Sequence, residues 1–274
     1  MNLFWWKGKR LKTVWRVEKD GHTSFLVGSA HFSPYRFKNP LTHLILPSET
    51  VLFEGPLDSE SMARVAEYGR QGENTPSVYE ALHPEAIHEI NRQLSARIAN
   101  QTISRSYLQL IRPPHPDFLE INTRGVRPWM AFLIIWSALL NWEHSMDMEA
   151  FAIARKLGKK IQFLETIEDQ LAALDGIPFE RIVNYLNHAE EWKTHKDLFL
   201  KAFLKGEVEK FISLTGEFPT RCDSIIQKRN PIFFKMMKPF FDEGKAVAFV
   251  GVGHIPGIIQ MFQGKSYEVR QETS

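Results

Sequence analysis

Two segments near opposite ends of the chain finish alike. Phe25-Leu-Val-Gly-Ser-Ala-His31 and Phe249-Val-Gly-Val-Gly-His254 are each an apolar run closed by Gly-x-x-His. The runs are too short for helices and read as buried strands. A glycine at a strand end permits a tight turn and close backbone approach, so the histidine that follows is presented at the carboxyl edge of a sheet. Two further short apolar strands run into acids, residues 51–53 into Glu54 and residues 161–164 into Glu165. Four strand ends thus finish in His31, Glu54, Glu165 and His254, and open α/β sheets bind ligands outside such ends. The expected fold is α/β: a central mixed β-sheet flanked by helices, with two weakly similar strand-Gly-x-x-His halves that suggest an internal duplication, and a helical middle.

Local signals fill in the elements. Residues 12–27 read as a hairpin turning at Asp20-Gly21, its second strand stopping at Gly28. Asp58 opens a helix with Met62, Val65 and Ala66 at helical spacing and Gly69 as its stop. Thr75-Pro76 is the cap and first turn of the next, whose stripe is Ile87, Ile90 and Leu94. Residues 112–116, Arg-Pro-Pro-His-Pro, form an extended connection, since each proline biases its predecessor away from helix. A helix over residues 145–157 ends at Gly158, and Thr166 caps the helix after Glu165. Leu198, Phe199, Ala202 and Phe203, then Phe233, Met237, Phe240 and Phe241, mark amphipathic helices that stop near Gly206 and Gly244. Pro231 is expected to break the second of these, which starts near Ile225, and to aim Arg229 into a cleft; the alternative is a salt bridge from Arg229 that binds this helix to Asp147 or Glu165. The end reads as strand 246–250, turn, a helix opened by Pro256 and closed by Gly264, and strand 267–269. No low-complexity linker interrupts residues 1–274, which are taken as a single domain.

Composition narrows the classes of function. With 34 Lys and Arg against 32 Asp and Glu, the net charge of +2 supplies no drive toward a phosphate backbone, so no nucleic-acid partner is expected. Cys222 is alone, which excludes an intramolecular disulfide, a Cys-rich zinc site and a redox pair. The apolar run Leu3 to Trp6 precedes its basic cluster, the reverse of a signal peptide, so a cytoplasmic location is expected. The most apolar stretch, residues 129–142, is interrupted by Ser137 and Asn141 and falls short of the roughly 20 residues of a spanning helix. It reads as a buried core helix, with no transmembrane segment.

Two imidazoles and a carboxylate are a common ligand set for a divalent metal, leaving an open position where water is activated. The blander readings are that a glutamate after a strand is a solvated loop residue or cap, and that Asp58, Asp147 and Glu168 serve helix caps or dipoles. His22, His43, His83, His88, His115, His144, His188 and His195 have no comparable placement and are taken as surface or packing residues.

The ordered set Val27-Gly-Ser-Ala-His31, Val51-Leu-Phe-Glu54, Arg127-Pro-Trp129, Met146-Asp147, Leu164-Glu-Thr-Ile-Glu-Asp-Gln170, Arg229-Asn230 and Val250-Gly-Val-Gly-His254 followed by Gly257 resembles the TraB/GumN/PrgY family. That family is related to the Tiki metalloproteases and more distantly to the ChaN and erythromycin-esterase-like proteins. The resemblance implies that His31 and His254 are the two motif histidines and Glu54 the acid of the first half. Arg229 and Asn230 match the family's Arg-Asn pair, which binds a substrate carboxylate or steadies the site. The chain departs from the pattern at Ser29-Ala30, where threonine is commoner after the glycine, and at Met146, where glycine usually precedes the aspartate. Many relatives carry an export signal that this sequence does not show, which puts an extracellular substrate in doubt.

The leading expectation is a metal-dependent hydrolase, a peptidase first, acting on a peptide or small molecule. His31, Glu54 and His254 would hold the ion, Glu54 or Glu165 would move protons, and Arg229 and Asn230 would bind substrate. The resemblance favours manganese or cobalt, with zinc also compatible. The alternatives are a metal-free esterase-like hydrolase in which His31 is the base and Glu54 orients it, and a non-enzymatic regulator that binds a peptide or small ligand in the same cleft.

Overall fold

A computed structural model describes residues 10–98 and 118–272. The apolar N-terminal run and the connection expected at residues 112–116, with His115, lie outside the described residues.

The strands are β1 (Val14–Lys19), β2 (His22–Ser29), β3 (Thr50–Phe53), β4 (Lys160–Phe163), β5 (Ala246–Gly251) and β6 (Glu268–Gln271), in the sheet order β4-β3-β5-β2-β1-β6. β2, β5, β3 and β4 are parallel, while β1 runs antiparallel to both β2 and β6, so the sheet is mixed as expected. β3 and most of β5 are buried throughout, which is why Thr50-Val-Leu-Phe53 and Ala246-Val-Ala-Phe-Val250 are near-continuous apolar runs rather than alternating ones. Asp20 and Gly21 turn the β1–β2 hairpin with φ of 51° and 80°, the left-handed pair that suits the strand twist.

Helices cover the sheet. The helix Met146–Lys156, capped by the Ser145 side chain and followed by Gly158 at φ 63°, packs on Lys38–Ile45 and against β3 and β4. The helices Arg229–Glu243 and Ile255–Gln263 pack together and rest on β2 and its neighbours. Beyond this sheet core lies a second apolar cluster built by the helical middle. The helix Pro128–Leu140 is buried over Trp129, Phe132, Ile135 and Trp136, and Trp136, Tyr185 and Phe218 pack edge to face with centroids 5.1 to 5.8 Å apart. Among the described residues no helix is long and apolar enough to cross a membrane.

Several local readings shift. Gly69 does not end its helix, which runs Ser59–Arg70; a Cβ there would strike Met130 and Trp129, so the glycine serves a close helix contact. Thr75 is not a cap, since Ser77 caps Val78–Ala81 and the stripe at Ile90 and Leu94 belongs to Pro84–Ile98. Pro231 breaks nothing. The helix begins at Arg229, and a first-turn proline removes an N–H that has no helical partner. The proline inside that helix is Pro239. The last strand lies one to two residues later than expected, at Glu268–Gln271.

Candidate functional site

Strand register brings the four expected ends together. Val27 pairs with Phe249, Phe249 with Phe53 and Phe53 with Phe163, so four parallel strands leave the sheet side by side at one edge. Leu164 and Glu165 donate their backbone N–H to Glu54 O at 3.1 and 2.9 Å, joining the two acidic ends. His31 follows β2 by two residues, and His254 closes the single turn Val252–His254 before the helix Ile255–Gln263.

Arg229, the first residue of its helix, lies between the acids. Its Nε donates to Glu165 Oε2 at 2.8 Å and its Nη2 to Glu165 Oε1 at 2.5 Å, while Nη2 also reaches Glu54 Oε2 at 2.8 Å. The planar guanidinium thus forks onto one carboxylate and edges onto the other. Two of its three nitrogens are occupied in this way, and Nη1 lies 3.5 Å from His254 Nε2. Glu165 has a side chain with no exposure and stands behind Arg229 rather than facing the open site. The other oxygen of Glu54, Oε1, accepts the Gly251 N–H at 2.6 Å and sits 3.7 Å from His254 Nε2.

Both histidines are fixed through Nδ1. His31 donates to Asp147 Oδ2 at 2.8 Å and His254 to Asn230 Oδ1 at 2.7 Å. Such partners set ring orientation and tautomer and leave Nε2 for chemistry. A Cβ built on Gly251 would meet Glu54 Oε1 at 3.2 Å, His31 Nε2 at 3.3 Å and His254 Cδ2 at 3.7 Å. The absent side chain of that glycine is therefore the space that three candidate site residues share.

Their charges differ. Burial opposes protonation of His31, but the charge and hydrogen bond of Asp147, with Glu54 behind, outweigh it and push the imidazole up to about 9. His31 is 60% exposed to the cavity beside it, so solvent there softens these effects. His254 moves the other way: burial, with Arg229 and Arg221 adding to it against Glu54, pulls it down to about 3. Burial raises Glu54, yet Arg229 and the two histidines hold its carboxyl well below the usual carboxylate range. Burial raises Glu165 against the pull of Arg229.

The donor set fits a divalent cation in kind, two oriented imidazoles and one carboxylate oxygen bordering a single space, although His254 Nε2 already faces the Arg229 Nη1 donor at 3.5 Å. Among the described residues, however, no three His, Cys, Asp or Glu side chains stand at the spacing of a closed metal shell. Glu54 is instead drawn toward Arg229 and the Gly251 N–H.

Two residues have a place at the site that the sequence reading did not give them. Asp147 sits in the first turn of its helix, where a dipole role accounts for it, yet its carboxylate holds His31. Asp58 and Glu168, given the same reading, keep it: Asp58 caps its helix, and Glu168 lies in a first turn, paired with Arg64. Arg221 belongs to no regular element, and its guanidinium lies where a Cβ on Gly253 would be. No local pattern marks it; only the glycine of Gly-x-Gly-His hints that something approaches closely. The cluster opens onto a cavity of about 1510 Å³ bordered by both apolar cores.

A model of the TraB/PrgY/gumN family matches residues 13–271. Among curated proteins none matches the chain.

Proposed function

The chain belongs to the TraB/PrgY/gumN family, and from that premise we propose that it is a hydrolase, in first reading a metal-dependent peptidase, working at the edge of β2, β3 and β5. One observation carries the proposal. The buried Asp, Glu and Arg side chains among the described residues are Glu54, Asp147, Glu165 and Arg229, and all of them contact one another or the two motif histidines. Withdrawing each charge from water costs several kcal/mol, about as much as the pairing returns, so such a cluster is poor material for stability and good material for a site.

In this reading His31, His254 and Glu54 would hold the cation, with manganese or cobalt favoured by the family resemblance and zinc compatible with the same donors. When bound, such an ion polarises an amide or ester carbonyl and acidifies a water. Asp147 and Asn230 keep the two imidazoles aimed. Arg229 keeps Glu54 ionised and fixed, and Glu165 clamps Arg229 from behind. Arg229 and Asn230 therefore act first as positioning residues, and a peptide or small substrate enters from the cavity side.

The 2.8 Å bond from His31 to Asp147 favours a second reading, a metal-free esterase-like hydrolase. There His31 exchanges the proton with substrate, and Asp147 rather than Glu54 orients it. Metal analysis of protein purified without added metal, beside His31→Ala/His254→Ala, separates the two. Stoichiometric metal lost in the double variant supports the first reading. Hydrolysis of ester or peptide substrates by metal-free protein supports the second. Absence of both metal and turnover in folded protein removes the hydrolase reading and leaves a ligand-binding regulator.

A further inference from the structure

Arg221 is placed differently from Arg229. It lies between the helices Val208–Leu214 and Arg229–Glu243, where Nε donates to Thr215 Oγ1 at 3.1 Å and the guanidinium carbon stands 5.3 Å from the centre of the Phe211 ring. Thr215 is itself tied to Phe211 O at 2.8 Å, so the mount is fixed. Among the described residues no carboxylate pairs with it, in contrast to the two that Arg229 holds. Stacking on Phe211 offsets part of the cost of half-burying this cation, and burial still pulls the group down to about 10. Nη1 rests against Gly253, one residue from His254, and the side chain lines the cavity. The charged groups His31, Glu54, Asp147 and Arg229 border the same cavity at the site, but most of its wall is apolar, with Leu133, Trp136, Phe199, Phe203 and Phe218 on it, and its volume of about 1510 Å³ exceeds what a single small metabolite needs.

We propose that Arg221 and this cavity form a subsite for an amphipathic acid, the guanidinium taking the ligand's carboxylate beside His254 and the apolar wall taking its body. Two sources supply this chemistry, the free C-terminus of a peptide with bulky apolar side chains and a fatty acid. As a substrate subsite the proposal rests on the hydrolase reading; as a binding site it does not.

Binding to the full-length protein is measured by calorimetry and by tryptophan fluorescence, since Trp129, Trp136 and Trp142 line the cavity. The probes are N-acetyl-leucyl-phenylalanine against its C-terminal amide, and dodecanoate against dodecanol. In at least one pair the acid should bind about tenfold or more tighter than its neutral partner, as a charge-assisted bond predicts. Arg221→Gln should abolish that gap and leave the neutral probe's affinity unchanged. The pair that shows the gap identifies the source. Equal affinities within both pairs, no binding of any probe, or a gap that survives Arg221→Gln each overturns the subsite. Should Arg221→Gln fail to fold, Arg221→Lys decides instead: it keeps charge without the planar fork and should narrow the gap severalfold, and a gap it leaves unchanged overturns the subsite, since His31 and Arg229 border the same cavity and could give the wild type an acid preference of their own. Acid-selective binding without turnover would remove only the hydrolase reading; turnover without acid preference would remove only the subsite.

Discussion

Arg229 and Glu54 are linked, yet substitution should affect them unequally. Arg229→Ala leaves Glu54 and Glu165 buried without their cation, a change that typically costs about 3–5 kcal/mol, to be read from urea unfolding. A loss under about 1 kcal/mol would show that the two acids relax or protonate easily and that Arg229 is not their clamp. Glu54→Gln should be milder for the fold, because Arg229 keeps its fork on Glu165 and the amide oxygen still accepts the Gly251 N–H. Any hydrolytic activity should nonetheless be lost, since an amide neither takes a proton nor neutralises a cation; turnover within a few-fold of wild type would take Glu54 out of the chemistry. At this scale His31, Glu54, Glu165 and His254 were legible because each ends a strand, a position that sequence reveals. Asp147 was not, because the contact that gives it meaning spans 116 residues and a first-turn aspartate already has a local explanation. Of the two acids offered as salt-bridge partners of Arg229, Glu165 is the one it holds, with Glu54 added, while Asp147 holds His31 instead.

Among the elements, strand ends and their glycines carry the design. Hairpin, buried strands and the helices closed by Gly158, Gly206 and Gly244 followed from turn chemistry and apolar period, which act over a few residues. Gly69 was misread because the missing Cβ that lets a chain leave a helix also lets a second helix approach, and only packing tells the two apart. Gly251 shows the distinction usefully. Its φ of −51° and ψ of 134° suit any residue, so its glycine identity is not a backbone requirement. Gly251→Ala should therefore leave the backbone unstrained but crowd Glu54 Oε1 and His31 Nε2, at a cost of about 1–3 kcal/mol in urea unfolding, while filling the space between Glu54, His31 and His254. Cation affinity or turnover should fall at least about tenfold; unchanged function in a folded variant would show that the shared space is not the site. Thr166→Ala tests the element next to it. The capping box with Asp169 starts the helix directly after Glu165, and its loss should cost about 1 kcal/mol in thermal or chemical unfolding. No measurable loss would mean that the Glu165 end of β4 is held by the sheet alone.

The whole molecule places this cluster where the sheet core and the helical core meet, so its protonation is coupled to global stability. The two motif histidines pull in opposite senses. His254, facing Glu54, Arg229, Arg221 and His31, is depressed to about 3, so between there and its ordinary 6.5 the unfolded chain binds the extra proton and stability rises with pH. His31, facing Asp147, Glu54 and Arg229, is raised to about 9, so between 6.5 and 9 the folded protein holds the extra proton and stability falls as pH rises. Glu54, held low, reinforces the acid limb. The expected curve is a dome with its top near 6.5, steeper on the acid side because His254 is 3% exposed whereas the His31 side chain is 60% exposed and screened by water. Denaturant unfolding across this range, on chelator-treated protein, gives the curve. His254→Asn should flatten the acid limb and leave the alkaline one, whereas His31→Asn should flatten the alkaline limb and, because His31 also helps hold Glu54 and His254 low, weaken the acid limb slightly. Curves that keep the wild-type slopes in both variants would show that neither histidine is held in the state its neighbours dictate, and with that the electrostatic account of the site would fail.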